Sequence, residues 1–218
     1  MSARKPAPTR GRYAKTAETR ATLARAALEI VYEKGHAALT TSEVAQRAGV
    51  SETTRFYHFP TRDHLLVAAL ELADADSAAR FAQTPENERL GWNTVFGAIA
   101  REGMNRNRAV VLLFTALGAE APNPDHPAHD YFKRHNAANV RAFAEGIRRR
   151  QAQGLAHPDL DPETVARQLQ GIWRGLQSQW LVDPNFDLAD EVQQAFRRLS
   201  GQTAMETKQA IGELMASL

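Results

Sequence analysis

The sequence predicts an all-α protein of about nine helices in two unequal parts, and three observations carry that prediction. Apolar residues recur at helical spacing along most of the chain, and no stretch alternates apolar and polar residues as a half-buried strand would. Glycines, prolines and capping residues cut the chain into helix-sized pieces. With 218 residues, 43% of them apolar, the chain can bury a sizeable core. The expected division is a basic arm over residues 1–13, a small helical domain over 14–60 and a larger one over 61–218.

The arm holds Pro6 and Pro8 with Arg4, Lys5, Arg10 and Arg12, a composition that disfavours a packed core. From about Lys15, Leu23, Ala27, Ile30 and Val31 fall on one helical face, and Gly35 ends that helix. Thr40 followed three residues later by Glu43 is a capping box, so a second helix begins near Thr41. Val44, Ala45 and Ala48 give it a small apolar face, and Gly49 stands where a left-handed stop is needed. Ser51 then caps a short helix from Glu52 to about His58, which ends because Phe59 precedes Pro60. Thr61 opens a fourth helix to about Phe81, with Asp63 in its positive first turn and Leu65, Leu66, Ala69, Leu70 and Ala73 as its buried stripe.

Glu86 to Gly118 carries one or two further helices, and residues 121–127 form a proline-rich loop. A long helix then runs to about Gln153. On it, Phe132, Asn136, Asn139, Val140, Phe143 and Ile147 share one face, so two amides interrupt an apolar stripe. A small molecule in a mostly apolar pocket would satisfy such amides, with Trp92, Phe96 and Phe114 as further walls; backbone partners or a wet edge of the stripe would do so equally well. Asp161 and Pro162 start a helix to about Val182, Asp183-Pro184 ends it, and a last long helix begins near Asp187. Val165, Leu169, Ile172, Trp173, Leu176 and Trp180 form one stripe; Leu188, Val192, Ala195, Phe196 and Leu199 form another. These stripes pack either within one chain or across a two-fold axis as a four-helix bundle. The tail after Gly201 repeats a weak apolar pattern that the sequence does not place.

Helix, glycine turn and capped helix over residues 39–66 make a helix-turn-helix. Only the first side chains of a short reading helix reach base edges in the major groove, which selects Glu52, Thr53 and Thr54. Residues 1–65 hold 11 Lys and Arg against 6 Asp and Glu, while the remainder holds 16 against 19, so the basic end coincides with the motif.

The run T-T-S-E-V-A-Q-R-A-G-V-S-E-T-T-R-F-Y-H-F-P-T-R-D-H-L-L resembles the DNA-binding signature of the TetR family of bacterial transcriptional regulators, over about Lys15 to Ala69. The resemblance implies that Thr41, Tyr57, His58 and Arg62 hold phosphates and that Ser42 lies beside the groove. It also favours a homodimer built on the last two stripes, matched to a palindromic operator of double-stranded DNA. Two residues depart from the pattern. Phe56 stands where tyrosine is usual, and Arg55, standing where an apolar residue packs inward, is expected to reach a phosphate.

The chain has no cysteine, and its longest apolar run, residues 109–119, is too short to span a membrane. A cytoplasmic protein without a membrane role is expected. Asp125, His126, His129 and Asp130 offer ligand types, but H-x-x-H in a proline-rich loop is a common coincidence and no metal is expected. There is no P-loop, dinucleotide-binding glycine pattern, nucleophile elbow or H-E-x-x-H, so neither enzyme activity nor a cofactor is expected. Arg148, Arg149 and Arg150, near a helix end, read as charges that neutralise the helix dipole or are solvated, rather than as a second nucleic-acid site. The function expected is a ligand-responsive repressor. The alternatives are a small-molecule-binding or enzymatic helical domain without operator specificity, and a nonspecific DNA-binding protein.

Overall fold

The computed structural model describes residues 10–82 and 108–216, with side chains over 14–79 and 108–216. Nine α-helices and no strand occur among the described residues. They are α1 (Arg10–Lys34), α2 (Thr41–Arg47), α3 (Glu52–His58), α4 (Arg62–Ala82), α5 (Arg108–Glu120), α6 (Ala128–Ala152), α7 (Pro162–Val182), α8 (Leu188–Leu199) and α9 (Gln202–Ala216). Helix α1 starts at Arg10, so residues 10–13 are helical rather than part of an arm. Trp92 and Phe96 lie outside the described residues.

Two compact units divide the chain: Met1–Arg80 with Ala109–His129, and Phe81–Arg108 with Asp130–Leu218. The boundary expected at residue 60 therefore separates α4 from the unit it belongs to. The α4 stripe of Leu65, Leu66, Ala69, Leu70 and Ala73 is at most 5% exposed, which makes α4 a core helix of the first unit.

In that unit the caps act largely as their sequence signals require. Thr40 accepts from the Glu43 N–H at 3.2 Å. The Glu43 carboxylate meets cations instead of completing the box, with Lys34 Nζ at 2.7 Å and Arg47 at 3.5 Å. Arg47 also forks onto Glu33 at 2.6 and 2.8 Å, which fastens α2 to α1 and holds the Glu33 carboxyl below its usual range. Gly49 has φ +66, the left-handed geometry of a helix stop. Around it Val50 N donates to Ala45 O at 3.0 Å and Gly49 N to Gln46 O at 3.1 Å, the paired bonds that close α2 and aim the chain into α3.

The second unit is organised on α6, α7 and α8. Asp161 accepts from the Thr164 N–H at 2.8 Å and its hydroxyl at 2.6 Å, which starts α7 and lowers the Asp161 pKa. Asp187 caps α8 in the same way through Ala189 N and Asp190 N. The core is Ala144, Ile147, Val165, Ala166, Leu169 and Phe196, with Val140, Phe143, Leu160, Trp173 and Leu199 packed around it. The unplaced tail is α9, and its first turn is fixed tightly. At Gly201, with φ +67, a Cβ would stand 2.7 Å from the His157 Cβ. Arg150, expected in solvent, is 6% exposed: it donates to Gln202 Oε1 at 2.8 Å and lies 5.5 Å over the Phe196 ring. Burial outweighs the nearby Glu206 and pushes its pKa down. Among the described residues no helix is long and apolar enough to cross a membrane.

Candidate nucleic-acid interface

Ser51 starts α3 by accepting from the Thr54 N–H at 3.1 Å, and its hydroxyl also lies 2.9 Å from that of Thr54. Thr54, a candidate for base contact, is thereby drawn into the cap and half-buried. Glu52 and Thr53 are exposed, as is Ser42 on α2, while Thr41 is half-buried. Tyr57 is 78% exposed, and its ring meets that of the half-buried His58 edge to face at 5.2 Å. The His58 carbonyl accepts from Arg20 Nη1 at 3.1 Å, and the same guanidinium lies 4.3 Å over the buried Phe59 ring. Arg20 thus clamps the end of α3 to α1, a role that no local sequence pattern announces.

The structure corrects one expectation here and gives a second residue an additional role. Arg55 does not point to a phosphate: it is 8% exposed. Its Nε and Nη2 meet Glu52 Oε2 at 3.1 and 2.6 Å, and its Nη1 donates to Phe59 O at 3.0 Å and Pro60 O at 3.4 Å. The inward apolar position of the motif is filled by an arginine whose head satisfies the carbonyls left open where α3 ends. The pairing also neutralises Glu52, which weakens its case as an acceptor for a cytosine amino group. Arg62 is also engaged by backbone, with 39% of its side chain still exposed. Its Nε donates to Leu39 O at 2.9 Å and its Nη2 to His36 O and Ala37 O, so it holds the 3-10 turn His36–Ala38 that joins α1 to α2. What remains outward on α3 is Glu52, Thr53, Phe56 and Tyr57, and Phe56, 60% exposed, was not among the expected contacts.

Arg62 has an electrostatic consequence. Burial first, and the Arg62 guanidinium second, hold the His36 imidazole below its ordinary pKa of 6.5. The folded state disfavours the imidazolium, so the unfolded chain takes up the proton first. The stability tied to neutral His36 is complete above about pH 6.5 and declines as pH falls below it. Urea midpoints measured across that range are expected to fall more steeply for the native chain than for His36→Gln.

In the second unit, the interrupted stripe of α6 has protein partners. Asn136 Oδ1 accepts from Arg174 Nη2 and from Gln170 Nε2 at 3.4 Å, and Arg174 lies 5.4 Å over the ring of the buried Phe132. Burial pushes the Arg174 pKa down. Asn139 Nδ2 is 2.8 Å from His135 Nε2, whose ring reaches the Tyr131 hydroxyl at 3.3 Å. The amides are therefore satisfied within the chain, and Phe143 packs against the helix core. Phe114, half-buried on α5, belongs to the first unit.

The expected dimer stripes divide. Val165, Leu169, Val192 and Phe196 are at most 3% exposed within one chain, so they have no area left to bury against a partner. Trp173 and Leu199 pack beside them, whereas Ile172, Leu176 and Trp180 remain half-buried. His126 is occupied by Asp63 at 3.5 Å and by the Ala128 N–H at 3.1 Å, and His129 Nδ1 lies 2.9 Å from Ala121 O. Among the described residues no group of three His, Asp or Glu is arranged to hold a metal ion.

Residues 23–69 match the family of bacterial regulatory proteins described as tetR, and residues 129–204 match the MftR C-terminal domain. No curated protein matches the chain. Among solved structures, a TetR-family transcriptional regulator from Rhodococcus sp. is 25% identical, with TM-score 0.65, covering 84% of this chain and 99% of that one. Thermus thermophilus FadR, a TetR-family repressor in complex with lauroyl-CoA, is 26% identical with TM-score 0.62, covering 83% and 92%. A transcriptional regulator from Saccharomonospora viridis in complex with choline shares the fold at 20% identity and TM-score 0.60, covering 84% and 95%. The N-terminal match contains the whole of α2 and α3, the C-terminal match runs from the start of α6 to the start of α9, and between them they account for both parts of the molecule. The chain belongs to the TetR family of bacterial transcriptional regulators, a ligand-responsive, DNA-binding class.

Proposed function

We propose that the protein is a cytoplasmic, non-enzymatic homodimeric repressor that holds a palindromic operator with one α3 per half-site and lets go when a small molecule binds its second unit. The observation that carries this reading is the outward face of α3, where two rings stand in solvent on a capped helix whose inward Arg55 is buried. Two neighbouring exposed rings on a helix of this motif suit a surface that covers them. Two copies would sit about 34–36 Å apart, one turn of B-DNA, or a multiple of that. The half-buried Ile172, Leu176 and Trp180 supply the dimer contact.

A ligand in the second unit would have to draw Arg174 and Asn136 out of the bond they make with each other beside the Phe132 ring. The relatives crystallised with lauroyl-CoA and choline give precedent for small molecules in this family. An effector loosens the operator only as far as it prefers the non-binding arrangement of the two reading heads.

The test is a gel shift with DNA flanking the protein's own gene. Sequence-dependent binding that weakens steeply with salt is expected. Equal binding to random DNA would favour a nonspecific binder, and no binding would favour a helical small-molecule domain.

A further inference from the structure

We infer that Phe56 reads the C5-methyl group of a thymine in each operator half-site, making it a specificity-determining residue. The inference rests on the operator-binding reading above. At 100° per residue, Glu52, Phe56, Thr53 and Tyr57 fall within about 140° of arc on α3, and Thr54, Arg55 and His58 fall on the rest. Burial follows the same division: the first four are exposed, Thr54 and His58 are half-buried and Arg55 is buried. The face turned outward therefore carries no cation. Its one charge, Glu52, is already met by Arg55 at 2.6 Å.

Phe56 sits one turn after Glu52, near the centre of that face, with 60% of its surface open. Its ring has no hydrogen-bond donor or acceptor, so it can fix neither a phosphate nor a base-edge amide. Arg55 approaches it from the inner side, 5.7 Å from guanidinium carbon to ring centroid. The side chain is thus backed by the helix and free only outward. In the major groove the apolar feature offered by a base edge is the thymine methyl, so covering it is the favourable contact left to this ring. Tyr57, next along the face and 78% exposed, keeps a hydroxyl and suits the sugar-phosphate edge.

The experiment starts from an operator selected from random duplex DNA with the full-length protein, then replaces thymine by deoxyuridine one position at a time in both half-sites. Burying one methyl corresponds to about fourfold in affinity per half-site, so about 15-fold is expected at one symmetric position. For Phe56→Ala, bound to the same duplexes, the uridine penalty at that position is expected to vanish. Phe56→Leu should retain part of it. Helix content by circular dichroism checks that both variants are folded.

A selected operator indifferent to every uridine substitution overturns the inference and leaves operator binding intact. So does a Phe56→Ala variant that weakens by the same factor on thymine and uridine duplexes, since that marks a role in packing or backbone contact. Failure to select any sequence overturns the operator reading and this inference with it.

Discussion

Arg55→Ala is expected to destabilise the first unit by about 2–3 kcal/mol while leaving the salt dependence of operator binding unchanged. The side chain is 8% exposed and makes two bonds to Glu52 and two to the carbonyls of Phe59 and Pro60. Removing it strands those carbonyls where α3 ends, and it leaves Glu52 as an unmatched charge on the reading face. Glu52 is exposed and rehydrates, which keeps the cost below the range for broken buried ion pairs. Arg55→Leu should lose less, because it restores an apolar filler at an inward position. A phosphate contact would behave differently: each one lost lowers the slope of log K against log salt by about 0.9. Urea denaturation gives the first quantity, and anisotropy titrations at several salt concentrations give the second. A shallower slope with full stability would return Arg55 to the DNA surface.

The same residue marks the limit of what the sequence makes legible. Backbone signals are local, so they read well. Thr40, Gly49, Ser51, Asp161 and Asp187 each sit where a cap or stop is needed, and each is found bonded or twisted accordingly. Side-chain destinations depend on neighbours distant in sequence. Arg62, expected on a phosphate, is also held by carbonyls more than twenty residues earlier, a bond that no local pattern announces. Arg150 looked like one of three solvated arginines and is buried against Gln202, fifty-two residues away. Periodicity has the opposite weakness. It finds an apolar stripe, as with Val165 and Leu169, but the stripe looks alike whether it meets another helix of the same chain or a partner's. Packing within α6, α7 and α8 took the first half of that stripe and left Ile172, Leu176 and Trp180 partly open. For Phe56 a signal was present, an apolar ring in place of tyrosine on a short capped helix, but its exposure depends on how the helix packs, which the motif does not state.

Phe196→Ala is expected to cost about 3–5 kcal/mol, and to do so independently of protein concentration. The ring is 2% exposed and closes the core made by Ala144, Ile147, Val165, Ala166 and Leu169. It also lies beneath the Arg150 guanidinium, whose Nε has no hydrogen-bond partner of its own. Truncation therefore removes apolar contacts and also the π face set against the buried Arg150, which places the loss toward the upper end of the range. If Phe196 instead lay chiefly across a two-fold axis, its loss would act through dissociation, and the denaturation midpoint would respond to dilution. Leu176→Glu supplies that contrast. It charges a half-buried side chain on the same helix face as Leu169, and it is expected to lower the midpoint most at low protein concentration. Parallel shifts for Phe196→Ala at every concentration, beside a concentration-dependent shift for Leu176→Glu, would separate the core of one chain from the contact between two. The reverse pattern would move the dimer contact onto α8.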